Sequence, residues 1–129
     1  MDQLYPLLHT LHYWLSRAGI VVGLVMLVTA IYVGLIRHGD VTQWFRRGTY
    51  AVTAFIGVEF VIGLTMYLSG GRPHEDVHLI YGVGALLSLP FFIFVETTAK
   101  KRPAMGSYIW GFALVVAIFL RSIMTGAAG

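Results

Sequence analysis

The sequence predicts an all-α fold, an integral membrane four-helix bundle that runs up-down-up-down. The chain of 129 residues is 57% hydrophobic and only 12% charged, so it is more apolar and less charged than a typical soluble domain. Its apolar residues fall into four long runs, each close to the ~20 residues that a helix needs to cross a bilayer. We therefore expect one transmembrane domain over residues 1–129, with the lipid bilayer as its first partner.

Each run corresponds to one predicted helix. The helices are expected at about 7–36, 48–68, 77–95 and 105–124, with Pro6 suited to the first turn of the first helix. The N-terminus has no early Lys or Arg, unlike a secretory signal peptide, so we expect the first run to be retained. Trp44, Arg46 and Arg47 are assigned to the first loop, and Glu96 to the third.

The connecting loops predict the orientation. Positive residues concentrate in the first and third loops, whereas the second loop has only Arg72; the clustered residues are Arg37, Arg46, Arg47, Lys100, Lys101 and Arg102. Because short cytoplasmic loops retain Lys and Arg, both termini should lie on the periplasmic side of an inner (cytoplasmic) membrane. The two halves then form like-oriented helical hairpins, each opening on a histidine pair, HTLH or HEDVH.

Composition also excludes several kinds of site. Cysteine is absent, which rules out disulfides, iron–sulfur ligation and thiolate metal sites. The net charge of +3 sits in short loops and forms no basic patch on a folded surface, so nucleic acid is not an expected partner.

The histidines are the candidate ligands. The first and third helices start on the same side of the membrane, which brings His12 and His78 to one end of the bundle, with His9 and His74 as substitutes nearer the water. His38 belongs to the opposite surface, where a solvated loop histidine is the simpler interpretation.

Small residues follow both ligands along their own helix faces. Gly19 lies seven residues after His12, and Gly82 lies four after His78. Such a face can admit a flat macrocycle with one imidazole on each side, so we predict a haem slot here. Helix packing explains the same pattern, because Gly19 and Gly23 form a GxxxG motif.

Charged residues inside the apolar runs support a polar site. Arg17 and Arg121 are candidate partners for haem propionates, although either can simply snorkel to the surface. Glu59 lies near the middle of the second run, where a bare charge costs at least ~2.5 kcal/mol. We expect it to be protonated or paired with Arg17 or Arg121, either as a structural ion pair or as a proton relay.

The pattern as a whole resembles a known group. Four helices, paired histidines on the first and third, and Arg121 in RSIMTG resemble small bacterial b-type cytochrome-like membrane proteins and, in outline, the copper-resistance D proteins. The resemblance implies bis-histidine haem b, at His12 and His78 here, with quinone or periplasmic electron exchange. The chain has no histidine pair at the cytoplasmic end, which argues against a second haem.

Three functions compete. The first is a small subunit of a respiratory or photosynthetic electron-transfer complex that carries one b-type haem near its periplasmic face. The second is a cofactor-free accessory subunit that packs against larger membrane proteins of such a complex. The third, ranked lower, is a quinol or copper site built from the same histidines. None of them requires the chain to be an enzyme on its own.

Overall fold

The prediction of an all-α, four-helix protein is confirmed. The computed structural model describes residues 4–70 and 77–126, and the described chain contains helices and no strand. The helices are α1 (Leu4–Ile31), continued by a π-helical turn (Tyr32–Ile36), α2 (Gln43–Leu68), α3 (Val77–Thr98) and α4 (Met105–Gly126). All four are long and apolar enough to cross a membrane, as expected of a multi-pass membrane protein.

Three of the predicted boundaries are wrong by several residues. The helix predicted at 48–68 begins at Gln43, because the Thr42 hydroxyl caps it by accepting from the Phe45 N–H at 3.1 Å. Trp44 and Arg46 are therefore helical rather than part of a loop. The helix predicted at 77–95 continues to Thr98 and includes Glu96, and the one predicted at 7–36 begins at Leu4. The fourth helix extends two residues past its predicted end, to Gly126.

The connections show how the helices stop. After the π-helical turn, His38 adopts a left-handed backbone conformation with a φ of 53°. Gly70, just beyond α2, has a φ of 103°, which favours glycine and ends that helix. Asp40 accepts a hydrogen bond of 2.8 Å from the Ala104 N–H, so the first loop satisfies a donor at the start of α4.

The helices pack in a cycle around a core dominated by α4. Helix α1 packs against α2 and α4, and α3 packs against the same two. Within the described ranges, no Cα atom of α1 comes within 8 Å of one in α3. Tyr108 and Phe112 of α4 are fully buried, and both rings meet Phe45 edge-on at centroid distances of 5.1 and 5.8 Å. Across the cycle, α2 and α4 thus meet through side chains, with no Cα pair within 8 Å in the described ranges.

The outer surface is strongly apolar. Large hydrophobic side chains that are more than half exposed occur on every helix, among them Val28, Leu68, Ile80 and Trp110. A soluble protein rarely leaves so many such residues in water, whereas a bilayer solvates them. The exposed residues are therefore the natural lipid-facing surface of the bundle.

Candidate functional site

Four helices contribute to one polar cluster, which we call the histidine cluster: His12 and Ser16 of α1, Glu59 of α2, His78 of α3 and Ser122 of α4. It adjoins a partly open cavity of about 370 Å³, within the range of small-molecule sites. Most of the wall is aliphatic or aromatic. A few polar groups in an apolar, concave setting are what a specific ligand site requires.

The two predicted ligands meet in this cluster. The ring centroids of His12 and His78 are 6.2 Å apart, and their planes are nearly perpendicular at 85°. With metal–imidazole bonds of ~2.0 Å and ~1.1 Å from each ring nitrogen to its centroid, an iron between opposed rings separates the centroids by about 6.2 Å. The centroid separation matches this distance, and the perpendicular planes describe an edge-to-face contact of the two rings.

His78 has a defined tautomer. Its Nδ1 lies 2.9 Å from the backbone carbonyl oxygen of Ser122. A carbonyl oxygen only accepts, so Nδ1 must carry the proton and donate it. In the neutral imidazole the lone pair then belongs to Nε2.

His12 is held beside a carboxylate. Its Nδ1 lies 3.4 Å from Glu59 Oε2, which is ion-pair distance but outside hydrogen-bond geometry. Gly63 of α2 makes room for the ring, since a Cβ at this position would lie 3.2 Å from His12 Cε1. The imidazole thus lies between the backbone of its own helix and that of α2.

Glu59 is buried at 5% exposure and only partly satisfied. The Ser16 hydroxyl lies 2.6 Å from Oε2, and the same hydroxyl is 2.7 Å from the His12 carbonyl oxygen. Oε1 has no hydrogen-bond partner among the described residues. A buried carboxylate oxygen without a donor is costly, which points to a group that would complete the site when bound.

The expectation that an arginine pairs with Glu59 is wrong. The Arg17 guanidinium lies over the Tyr13 ring at 3.5 Å and donates to the Tyr13 carbonyl at 3.2 Å. Arg17 still lines the cavity, whereas Arg121 is exposed and absent from the described part of the cavity wall. Of the two predicted propionate partners, only Arg17 is in reach.

The two glycines of the predicted slot have different surroundings. A Cβ at Gly19 would overlap the ring of Phe119, so this glycine allows α1 to pack tightly on α4. A Cβ at Gly82 would meet Phe60 at 3.7 Å, an ordinary contact, and Gly82 lines the cavity. Helix packing therefore accounts for Gly19, and Gly82 remains beside the open space.

The other histidines differ in position. His9 lines the cavity, with its ring centroid 6.4 Å from that of Tyr5. His74 lies outside the described residues. His38 is exposed in the loop after α1, away from the histidine cluster.

A second polar cluster, which the sequence analysis missed, lies near the other end of α3. We call it the Glu96 cluster: Glu96 with Arg46 of α2, Arg102 of the third loop and Tyr108 of α4. Glu96 and His78 are 18 positions apart, or about 27 Å along a helix. Because Arg46 and Glu96 were predicted to lie in loops, the sequence did not predict that the two side chains pair.

Comparisons with known proteins give no match: no family model fits the chain, and no curated protein or solved structure is significantly similar to it. The resemblance to b-type cytochrome-like proteins therefore stays a prediction. The functional argument depends on the geometry of the histidine cluster.

Proposed function

We propose that this protein is a small integral membrane subunit of an electron-transfer assembly, respiratory or photosynthetic, and that it holds one b-type haem between His12 and His78. The observation that carries the proposal is the 6.2 Å separation of two imidazoles from α1 and α3, helices that have no Cα pair within 8 Å in the described parts of the chain. When bound, such a haem supplies one-electron transfer at its iron.

The side chains have distinct parts in this proposal. His12 and His78 would hold the iron, and the His78 tautomer, with its proton on Nδ1, puts the lone pair on Nε2. Arg17, on the cavity wall, is the counter-charge for a propionate. Gly82 has no side chain to fill the cavity, so the backbone of α3 borders the open space there. The apolar wall excludes water, which is one of the ways in which a protein tunes a haem potential.

The orientation belongs to the same proposal. We place the helices up-down-up-down in an inner membrane, with both termini and the histidine cluster on the periplasmic side. Exposed basic residues near the other end support it: Arg37, Arg47, Lys100 and Lys101. Because the chain has no cysteine, single substitutions Ser69→Cys and Lys101→Cys can be labelled in intact cells with an impermeant maleimide. Labelling of Ser69→Cys alone supports this orientation, and labelling of Lys101→Cys alone reverses it.

The haem is tested by the visible spectrum of the purified full-length protein. We expect sharp α and Soret bands in the reduced-minus-oxidised spectrum, lost in both His12→Ala and His78→Ala. His38→Asn is the matched control, because it removes an exposed histidine and asparagine tolerates the left-handed φ of 53° at this position. Bands that survive both cluster substitutions would place the ligands elsewhere.

The competing functions give different results in the same preparation. A colourless protein that co-purifies with a large complex would favour the accessory subunit. A colourless protein whose organic extract contains a quinone would favour a quinol site in this cavity. Copper is not favoured by the geometry, since the described residues contain no group of three or more His, Asp or Glu side chains placed to hold a metal ion.

A further inference from the structure

The two imidazoles of the histidine cluster have chemically unequal supports. His78 donates from Nδ1 to a neutral backbone carbonyl at 2.9 Å. The Nδ1 of His12 instead faces the carboxylate of Glu59 at 3.4 Å. A carboxylate draws the Nδ1 proton more strongly than a carbonyl does, so it makes the opposite ring nitrogen more electron-rich.

The structure leaves this pairing incomplete on both sides. Within the described residues, His12 Nδ1 and Glu59 Oε1 are both buried without a hydrogen-bond partner. If a metal takes the Nε2 of His12, the proton must reside on Nδ1, and Glu59 is the acceptor beside it. A metal on Nε2 would thus leave Nδ1 protonated beside Glu59 Oε2, the nearest carboxylate oxygen at 3.4 Å.

Within the described residues, the imidazole of His12 is the only basic side chain beside the Glu59 carboxylate. No Arg or Lys in the described chain lies within 4.0 Å of the Glu59 carboxylate oxygens. Arg17, the nearest candidate by sequence, is engaged with Tyr13. Ser16 is a neutral donor that orients Oε2 without cancelling a charge.

We propose that Glu59 is a positioning residue that strengthens His12 as a ligand and thereby lowers the reduction potential of the bound haem. This inference rests on the proposed haem function and deepens it. Electron density supplied through His12 favours the more positive ferric iron, because hydrogen bonds to axial ligands are one of the levers on haem potential. His78, supported by a carbonyl, contributes less to this effect.

The test is a redox titration of the purified full-length protein, followed at the α band. In Glu59→Gln the amide oxygen can still accept from Ser16, but the negative charge is gone. We expect the preference for ferric over ferrous iron to fall about tenfold, which for a one-electron couple is an upward shift of 59 mV. Ser16→Ala keeps the carboxylate and should shift the potential less.

Two further variants make the result specific. Asp40→Asn removes a carboxylate from the first loop, far from His12, and should leave the potential unchanged, which controls for net charge. Glu59→Asp keeps a charge at the site and should give a potential between those of wild type and Glu59→Gln. It also provides the comparison if Glu59→Gln fails to retain haem.

The experiment distinguishes failure of the proposed haem function from failure of the inference about Glu59. Absence of haem bands in the wild type, or their survival in both His12→Ala and His78→Ala, overturns the proposed function and this inference together. Haem bands that depend on His12 and His78, with a potential that is the same in wild type, Glu59→Gln and Glu59→Asp, overturn the inference alone. A downward shift in Glu59→Gln would also contradict it.

Discussion

Glu59 and Glu96 are both buried glutamates on transmembrane helices, yet their surroundings are opposite. The oxygens of Glu96, which is fully buried, accept from Arg46, Arg102 and Tyr108 at 2.8 to 3.1 Å. Glu59 has one close donor, Ser16, and one oxygen with no partner in the described chain. Glu96 also has two guanidinium groups beside it, whereas the only ion-pair partner of Glu59 in the described chain is a histidine.

The difference in hydrogen bonding suggests different roles for the two glutamates. A saturated carboxylate that joins α2, α3, α4 and a loop fixes the packing of those elements, and it has no capacity left for a ligand. An undersatisfied carboxylate beside a cavity and two imidazoles has that capacity, and buried ionisable groups inside membrane segments are often functional. We therefore assign stability to the Glu96 cluster and propose ligand binding for the histidine cluster.

The same substitution in both clusters tests this division most strongly. Glu96→Gln replaces an oxygen that accepts from a guanidinium with an amide that donates, so we expect a loss of about 3 kcal/mol in the free energy of unfolding. Glu59→Gln should cost less than about 1 kcal/mol, since the oxygen without a partner has no bond to lose. Reversible unfolding in mixed detergent micelles measures both.

Equal losses in the two variants would contradict the assignment. If Glu59→Gln were the more damaging substitution, Glu59 would be a structural residue, and the haem proposal would lose one of its supports.

Two glycine substitutions near the histidine cluster, at Gly19 and Gly82, compare a tightly packed helix contact with the wall of the cavity. Gly19→Ala puts a methyl group into the Phe119 ring, and overpacking of this kind typically costs about 2 kcal/mol. Gly82→Ala meets only an ordinary contact and removes a flexible residue from a helix, so stability should be unchanged or slightly higher. Thermal unfolding of the two variants, measured side by side, checks the contrast. Similar destabilisation by both would mean that the face of α3 beside the cavity is as tightly packed as the contact between α1 and α4.

Tyr108 is the uncharged donor of the Glu96 cluster, and its substitution tests how much that donor contributes to stability. Its hydroxyl donates to Glu96 Oε1 at 2.8 Å, and the side chain is fully buried. Tyr108→Phe keeps the ring contact with Phe45 and removes only this donor, so we expect a loss of about 1 kcal/mol. If denaturation shows a smaller loss of stability in Tyr108→Phe than in Glu96→Gln, the guanidinium groups contribute more to the cluster than the hydroxyl does. A loss as large as that of Glu96→Gln would instead make the hydroxyl the main support.

Features that depend on nearby residues could be predicted from the sequence, whereas features that depend on partners distant in the sequence could not. Four apolar runs predicted four helices. Because two membrane crossings separate the starts of the first and third helices, the same runs also predicted that His12 and His78 lie at one end of the bundle. Glu96 pairs with residues that lie 50, 6 and 12 positions away in the sequence, and the network spans α2, α3, the third loop and α4. No sequence periodicity predicts such a pairing. Helix α3 appeared to end before Glu96, since a charge after an apolar run looks like a loop until its partners are known.

Within the histidine cluster, the missed partners were small or were part of the backbone. The sequence gives no sign that Ser16 is a donor to Glu59, which is 43 positions away. The carbonyl that orients His78 belongs to Ser122, and a backbone acceptor has no residue-type signature. Arg17 was one of two arginines suggested as a partner for Glu59 on charge alone, whereas the Tyr13 ring, one turn earlier, lies directly under its guanidinium.

The smallest expected effect concerns Asp40, which supports the Glu96 end from the first loop. Its hydrogen bond from the Ala104 N–H, followed by that from Val41, holds the pKa of this carboxyl below its ordinary value. The stability that this provides is complete above the unfolded-state pKa of ~3.9 and is lost as the pH falls through the lower folded-state pKa. Because the side chain is well exposed, wild type should exceed Asp40→Asn by less than about 1 kcal/mol near neutral pH. Unfolding of both proteins across the acid range should show this gap closing as the pH drops below about 4, and a gap that persisted there would mean that the side chain acts through shape rather than charge.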